Sequence, residues 1–363
     1  MRWRASRLKI SKRNSVLYGD NGWWLVTRAA QVQQQSSLTI QQSLPTTSVI
    51  VVMFNSESTL DACLSSIPST SEVVLVDNAS TDASASMAVQ IRPDAKLIRA
   101  GANRGFPAGN NLGAANATGE VLIFLNPDAS FDRDGVRILA DTVVNKGAMV
   151  GPRILDSAGN EATRARYWSR VWSDLAEIFF PTRLVKSRLP RSIGRDMSPD
   201  QEVYRSGGPV PYVQGCCIAL SAEHFWRIGG WDERMFLYHE EEALARSLEM
   251  VGVPVILEPR AIVSHIGGVS SSQYPDFSAH QYFRSKALVY RGHYSTPVTL
   301  VAGIAFWSVL QAMAVLTPIR KLIGLRADRE RSWYRAAASG VISGIRTTGY
   351  RTGRRIVMPP RVH

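Results

Sequence analysis

Sulfur is scarce in this chain: Cys63, Cys216 and Cys217 are the only three cysteines in 363 residues. Adjacent cysteines seldom close a good disulfide, and no Cys/His spacing matches a zinc site. That excludes a disulfide-stapled secreted module, and free thiols in a chain of this length predict a reducing, cytoplasmic setting. A signal-peptide core is missing as well, because the apolar run at 23–26 is too short and too late for one. The Gly/Asn loop at 103–113 lacks both the Lys-Ser/Thr of a P-loop and the three-glycine spacing of dinucleotide binders. Acidic residues are outnumbered, 30 against 42 basic ones, for a net charge of +12. The excess gathers at the ends, in Arg2, Arg4, Arg7, Lys9, Lys12 and Arg13 and again from Arg320 and Lys321 through Arg355. An anionic partner follows. A membrane surface fits better than nucleic acid, because the basic tail adjoins a long apolar segment and no groove-reading motif is present. The expectation is therefore no nucleic acid. Hydrophobic content of 45% with 20% charged residues is ample for a core, in one large domain or two small ones.

What is present alternates. Apolar runs at 48–54, 72–77, 96–99 and 121–125 predict strands, the third of them short and near an edge. Between them lie helical stretches through Leu60, Cys63 and Leu64, after Asp82, and around Ala114. Four rounds of strand and helix predict a parallel sheet with right-handed crossovers. Further on, 134–146 predicts a helix, 148–155 an extended segment, 213–220 a strand, 222–228 a helix, and 253–257 with 261–265 two more strands. The stretch 164–208, rich in Trp, Arg and Pro, has little regular patterning. It predicts an acceptor-side loop or a plain surface excursion.

Three strands end in polar residues, Asn55, Asp77 and Asp128, at the sheet edge where open α/β folds bind ligands. The run Val121–Leu125 stops at Asn126-Pro127-Asp128, since Pro127 cannot donate to a ladder. Asp128 presented there can hold a divalent cation against a diphosphate, although Asn, Pro and Asp also mark ordinary turns. Asp77 can accept from the base or ribose of a nucleotide, and a Gly-rich loop entering a helix can turn backbone N–H groups toward phosphate. In the run 240–242 the helical period places Glu241 on an inward stripe with Leu237, Leu244, Leu248 and Val251, with Glu240 beside it. It places Glu242 on the outer face, paired with Arg246. Glutamates at a helix start also simply complement the helix dipole.

The succession of the 48–55 strand, Val76-Asp77-Asn78-Ala79-Ser80-Thr81-Asp82, Asn103-Arg104-Gly105-Phe106 and Asn126-Pro127-Asp128 resembles family 2 glycosyltransferases. Within them it is most similar to the rhamnosyltransferase-like branch. The resemblance covers about residues 48 to 270. It implies an α/β GT-A fold, a mainly parallel sheet flanked by helices, and inverting transfer from a nucleotide sugar. On the matching positions it implies donor contacts from Phe54, Asn55, Glu57, Asp77, Asn78, Asp82, Asn103, Arg104, Gly105, Asn110 and Asn126. It implies a Mg²⁺ or Mn²⁺ ion on Asp128 and His265, and a catalytic base at Glu241, with Glu240 the neighbouring candidate. This chain departs from the family's usual segment at Glu241, where Asp is common, and at Ala243, where a second Asp is common. The expected donor is dTDP-L-rhamnose, with galactofuranosyl, glucosyl or mannosyl donors as alternatives. The expected acceptor is a polyprenyl-diphosphate-linked saccharide. The rival of a different class is a non-catalytic, membrane-bound nucleotide-sugar-binding protein.

Residues 1–45 read as a basic, Gln-rich extension, 46–275 as the transferase domain and 276–363 as a basic helical region. From Val298 to Ile319 there is no charged residue over 22 positions, long enough to span a bilayer. Cations on both sides argue against a single span. The expectation is a helix, or a hairpin ended at Pro318, dipping into the cytoplasmic leaflet. A docking helix buried in soluble protein is the alternative.

Overall fold

The computed structural model describes residues 45–162, 164–179, 202–267, 274–322 and 329–347. The expectations for the N-terminal extension, with its tryptophans and Gln/Ser run, and for the extreme C-terminal arginines lie outside these residues.

Four parallel strands form the first half of the sheet: β1 (Thr47–Met53), β2 (Glu72–Asp77), β3 (Lys96–Arg99) and β4 (Val121–Leu125), in the order β3-β2-β1-β4. Every residue of β4 is buried, as an uninterrupted apolar run in a sheet covered on both faces should be. β3 lies at the edge and is the most exposed of the four. The crossovers carry α1 (Leu60–Ser65), α2 (Ser84–Ile91) and α3 (Phe106–Ala114). The last of these begins at Phe106, so the Asn/Gly stretch around 109–113 is helix rather than loop. Gly109 and Gly113 let it approach β1, where added Cβ atoms would collide with Val52 and Ile50.

Beyond β4 the sheet becomes mixed. β5 (Ala129–Phe131), α4 (Gly135–Lys146), β6 (Met149–Leu155) and β7 (Arg164–Arg166) come first, followed by α5 (Val171–Phe179) and α6 (Glu202–Ser206). The strand expected over 213–220 is broken at Gly215-Cys216 into β9 (Tyr212–Gln214), which pairs with β7 in a separate ribbon, and β10 (Cys217–Ser221). β10 runs antiparallel between β4 and β6. α7 (Ala222–Ile228) and α8 (Glu240–Met250) follow. The two strands expected at 253–265 are one, β11 (Val255–His265), with a register shift between Glu258 and Ile262. β11 pairs with β6, with β5 and with the short β8 (Gly208–Pro209).

Three helices close the described chain: α9 (Pro275–His293), α10 (Thr296–Leu322) and α11 (Arg331–Arg346). α11 presses on α9 at Gly340 and Gly344, where a Cβ would strike the carbonyl oxygens of His280 and Arg284. Arg291 of α9 donates to the Ile345 carbonyl at 2.7 Å, satisfying the end of α11. α5 is tied to the same group by a buried ion pair, Asp174 with Lys286 at 3.4 Å, and by the Tyr290 hydroxyl donating to Asp174. Removing one partner of such a buried pair costs about 3–5 kcal/mol. The supposedly unpatterned insertion is thus anchored to the C-terminal helices. Those helices in turn meet the α8 entrance through Leu288 and Val289 against Met235 and Ala243.

Candidate functional site

The β5–β11 register sets His265 opposite Ala129, one residue from Asp128. His265 Nε2 and Asp128 Oδ1 lie 3.1 Å apart, and Ile266 N donates to the Asp128 carbonyl. Residues 137 positions apart in sequence thus share one point at the end of β4. Burial works against a charged His265, but hydrogen bonds to Asp128 and to the Cys216 side chain outweigh it and raise the imidazole to about 10. This spot draws positive charge, as a cation site must, and a metal would compete with the proton there. One carboxylate and one imidazole suit Mn²⁺ more naturally than Mg²⁺. No group of three or more His, Cys, Asp or Glu placed to hold a metal exists among the described residues. The remaining coordination would fall to a diphosphate and water.

The Gly215-Cys216 break connects this pair to the glutamates. Asn126 N donates to the Cys216 carbonyl at 2.7 Å, while the neighbouring Gly215 N–H donates to Glu241. Glu241 is half-buried, and desolvation is foremost in raising it to about 6. The backbone N–H groups of Glu241 and Gly215 and the charge of Arg166 on β7 restrain that rise. The helix dipole at the first turn of α8 favours a carboxylate there, yet burial is the larger effect on Glu241. Glu240 is buried, with its Oε2 lacking a protein hydrogen-bond partner. Burial, then the charge of Glu241, pushes it well above the carboxylate range. Burial thus raises both carboxyls, which titrate as an interacting pair.

Glu242 overturns the outer-face expectation. It is fully buried, accepts from Ser169 N at 2.8 Å and from Arg246 at 2.9 Å, and has His239 Nδ1 within 3.5 Å. Arg246 also lies over the Trp168 ring. The period-3.6 stripe placed Glu242 outside because it took the core to lie on one side of the helix only. Residues 166–169 cover the other side. Glu242 is thus a clamp that holds this segment, with Arg166, over the start of α8. Arg166, Ser169 and Gly215 all went unremarked in sequence; the glycine interrupting an apolar run was the one available signal.

The loops after β1 and β2 are stitched together. Asn55 Oδ1 accepts from Thr81 N at 2.8 Å, Asp82 accepts from Glu57 N, and Glu57 accepts from Ala83 N. Hydrogen bonds from Ser84 and from Glu57 N outweigh burial and hold Asp82 below the usual carboxylate range. Asp77, itself buried, accepts from Ser80 N, and Phe54 at the end of β1 is exposed. Two residues expected to contact the donor are buried and bonded within the chain. Asn110 is buried, and its amide donates to the Phe106 carbonyl, closing the first turn of α3. Asn78 is equally buried, bonding Asn103 and the Gly105 carbonyl while accepting from Arg104 N. The loop's N–H groups are also engaged: Gly105 N on Asn103, and Phe106 N on the Phe236 carbonyl. This loop braces the approach to α8, with Asn103 engaged in it through its Oδ1 and the Arg104 side chain exposed.

Strain is concentrated here too. Among the described residues, the non-glycine residues with left-handed backbone are Asn55, Ala79, Tyr238 and His239, with φ of 51°, 67°, 69° and 63°. They follow β1, follow β2 and precede α8. Such conformations cost on the order of 1–3 kcal/mol each and persist where the surroundings over-determine them.

Residues 48–228 match the model of the family described as Glycosyl transferase family 2. The N-acetylglucosaminyl-diphospho-decaprenol L-rhamnosyltransferase of Mycobacterium tuberculosis is 25% identical over 305 residues, covering 78% of this chain and 95% of that protein. The low-salt glycan biosynthesis hexosyltransferase Agl10 of Haloferax volcanii is 28% identical over 212 residues, 55% of this chain and 61% of its own length. Among solved structures, the mannosyltransferase PcManGT from Pyrobaculum calidifontis, in complex with GDP-Man and Mn²⁺, is similar at TM-score 0.48. It is 17% identical, with 87% of this chain and 92% of that one covered. The mixed sheet, with polar loops at the ends of β1, β2 and β4, is a GT-A fold, and through residues 48–228 the chain belongs to glycosyl transferase family 2 and is a glycosyltransferase.

Proposed function

We propose that the enzyme transfers L-rhamnose from dTDP-L-rhamnose to a polyprenyl-diphosphate-linked saccharide at the cytoplasmic face of the membrane, inverting the anomeric centre. The observation that carries this reading is the Gly215-Cys216 break, which holds the Asp128–His265 pair and the Glu241 carboxylate around the end of one strand. Support for the sugar and the lipid carrier comes from the mycobacterial relative, whose name states both. Glucosyl, mannosyl and galactofuranosyl donors remain the alternatives for the same site. The non-catalytic reading is set aside, because the chain is a glycosyltransferase.

Asp128 and His265 would hold a divalent cation, which offsets the charge growing on the departing diphosphate. Asp77, with Asn55, Asp82 and Arg104 around it, binds the nucleoside end of the donor. Glu241, ionised and fixed by Gly215 N–H, takes the proton of the acceptor hydroxyl as it attacks the anomeric carbon from the face opposite the diphosphate. Glu240, raised by burial and by the charge of Glu241, lies beside it.

The test is transfer by the full-length protein with each of the four nucleotide sugars and a short-chain polyprenyl-diphospho-GlcNAc, read by mass spectrometry of the lipid product. Addition of a deoxyhexose from dTDP-L-rhamnose is expected. Transfer confined to another donor would replace the sugar, and no transfer from any of the four would reject the reading. A finer test concerns Asp77, whose contact exists in ground and transition states alike. Asp77→Ala should raise the donor KM at least tenfold while lowering kcat less. An unchanged donor KM would remove Asp77 from the site.

A further inference from the structure

The helix α10 has two unlike sides. Thr299, Ala302, Phe306, Leu310, Ala314 and Thr317, at spacings of three and four, are buried against the helices beside it. Gly303 sits on that side, where an added Cβ would collide with Ile345 of α11. The opposite side presents Val301 at 68% exposure, Ile304 at 65% and Val315 at 58%, flanked by Val298, Leu300, Trp307, Leu316 and Ile319. No charged residue lies between Thr296 and Ile319. A helix docked in a soluble core shows water a polar face; this one shows water an apolar face along its length.

The packed side runs from Thr299 to Thr317, so α10 cannot leave its neighbours without abandoning its whole interface. Those neighbours are not membrane material. α9 carries Arg284, Lys286 and Arg291, and α11 carries Arg331, Arg335 and Arg346. If α10 spanned a bilayer, it would drag these cations into hydrocarbon, where each is costly. From its last turn onward the sequence holds Arg320, Lys321, Arg326, Arg329, Arg331 and Arg335 against Asp328 and Glu330. An apolar face bordered by excess positive charge complements an anionic lipid surface.

We propose that α10 lies in the plane of one leaflet, its Val301–Ile304–Val315 face in the acyl boundary and α9 and α11 on the aqueous side, so that the enzyme is monotopic. The proposal rests on the reading of the acceptor as lipid-linked, and it supplies what that reading needs. α5 is fixed to α9 by the Asp174–Lys286 pair, and residues 166–169, just before α5, are fixed to α8 by Ser169 on Glu242. A continuous set of buried contacts therefore joins the membrane seat to the turn that carries Glu241. Trp172 of α5, 83% exposed, is a second aromatic available to the interface.

The native cysteines are buried, so single cysteines introduced in full-length protein at Val301, Ile304, Ser308 and Val315 can each carry a spin label. Bound to phosphatidylglycerol-containing vesicles, all four positions should report one shallow depth, about 5–10 Å below the headgroups. A label at Ser339 on α11 should stay aqueous. Depth that climbs to the bilayer centre and falls again along the helix would establish a span and overturn the proposal. Absence of vesicle binding, or labels that couple between two copies in solution, would overturn it in favour of a protein-covered face. Ile304→Glu should lose at least tenfold in vesicle affinity and keep transfer to a water-soluble acceptor. Flat, shallow labels on a protein that transfers no sugar would leave the seat standing and refute the functional reading alone.

Discussion

Asp128→Ala is expected to abolish transfer, a loss of at least three orders of magnitude, and to weaken nucleoside diphosphate binding in Mn²⁺ or Mg²⁺. The carboxylate closes the most deeply buried strand of the sheet and lies 3.1 Å from His265, so alanine removes one of the two protein groups available to a cation. It also leaves the imidazole without the partner that most strongly favours its charge, and His265 should titrate well below about 10 in the variant. That second readout, by NMR of the imidazole in the absence of metal, reports the pair independently of catalysis. Full activity of the wild-type enzyme in EDTA would sink the assignment of a metal. Normal activity of Asp128→Ala would remove the residue from the site altogether.

The first half of the fold was legible because its signals are local. Apolar runs of five to seven residues in β1, β2 and β4, each stopped by Asn or Asp, announce buried parallel strands and the edge at which they deliver ligands. The second half depends on long-range pairing that no window of sequence contains. The run 213–220 looks like one strand, yet Gly215 and Cys216 divide it between two sheets. The apolar residues at 253–257 and 261–265 look like two strands, yet they are one, bent by a register shift. α3 was displaced because its Gly and Asn residues carry loop propensity, which close packing on β1 and β2 overrides.

The proposed site was read in the sequence from Asp128, Asp77 and Glu241, while the contacts that hold those segments together were not. Asn78 and Asn110 were themselves expected donor contacts, and both turn their amides to the chain itself. Loops that must present a few groups at fixed positions need others to brace them, and sequence position does not separate the two roles. For Glu242 the helical period was sound and the assumption about solvent was wrong. Residues 166–169 come from the segment with the least regular patterning, and nothing in its composition says that it folds over α8.

Glu241→Gln should lower transfer by roughly two to four orders of magnitude while leaving donor affinity within a factor of about three. The amide keeps the shape and can still meet Gly215, but it cannot take a proton. Because burial raises Glu241 to about 6, the wild-type rate should fall below that pH as the carboxylate protonates and should level off above it, an acidic limb that Glu241→Gln removes. Arg166 restrains that rise, so Arg166→Met should move the limb upward and Arg166→Lys should largely restore it. Glu240→Gln should be mild, because burial and the charge of Glu241 both push Glu240 toward its protonated form, which the amide resembles. Glu242→Gln should behave differently from both. It unpairs Arg246 in a buried setting, so it should lower thermal stability and shift the acidic limb only through the position of α8. If Glu240→Gln proves the inactive variant and Glu241→Gln retains the acidic limb, the charge of the pair resides on Glu240 and the base is the unpartnered buried carboxylate. If neither variant loses transfer, the proton leaves by another route, and the Gly215 hydrogen bond serves only to anchor the start of α8.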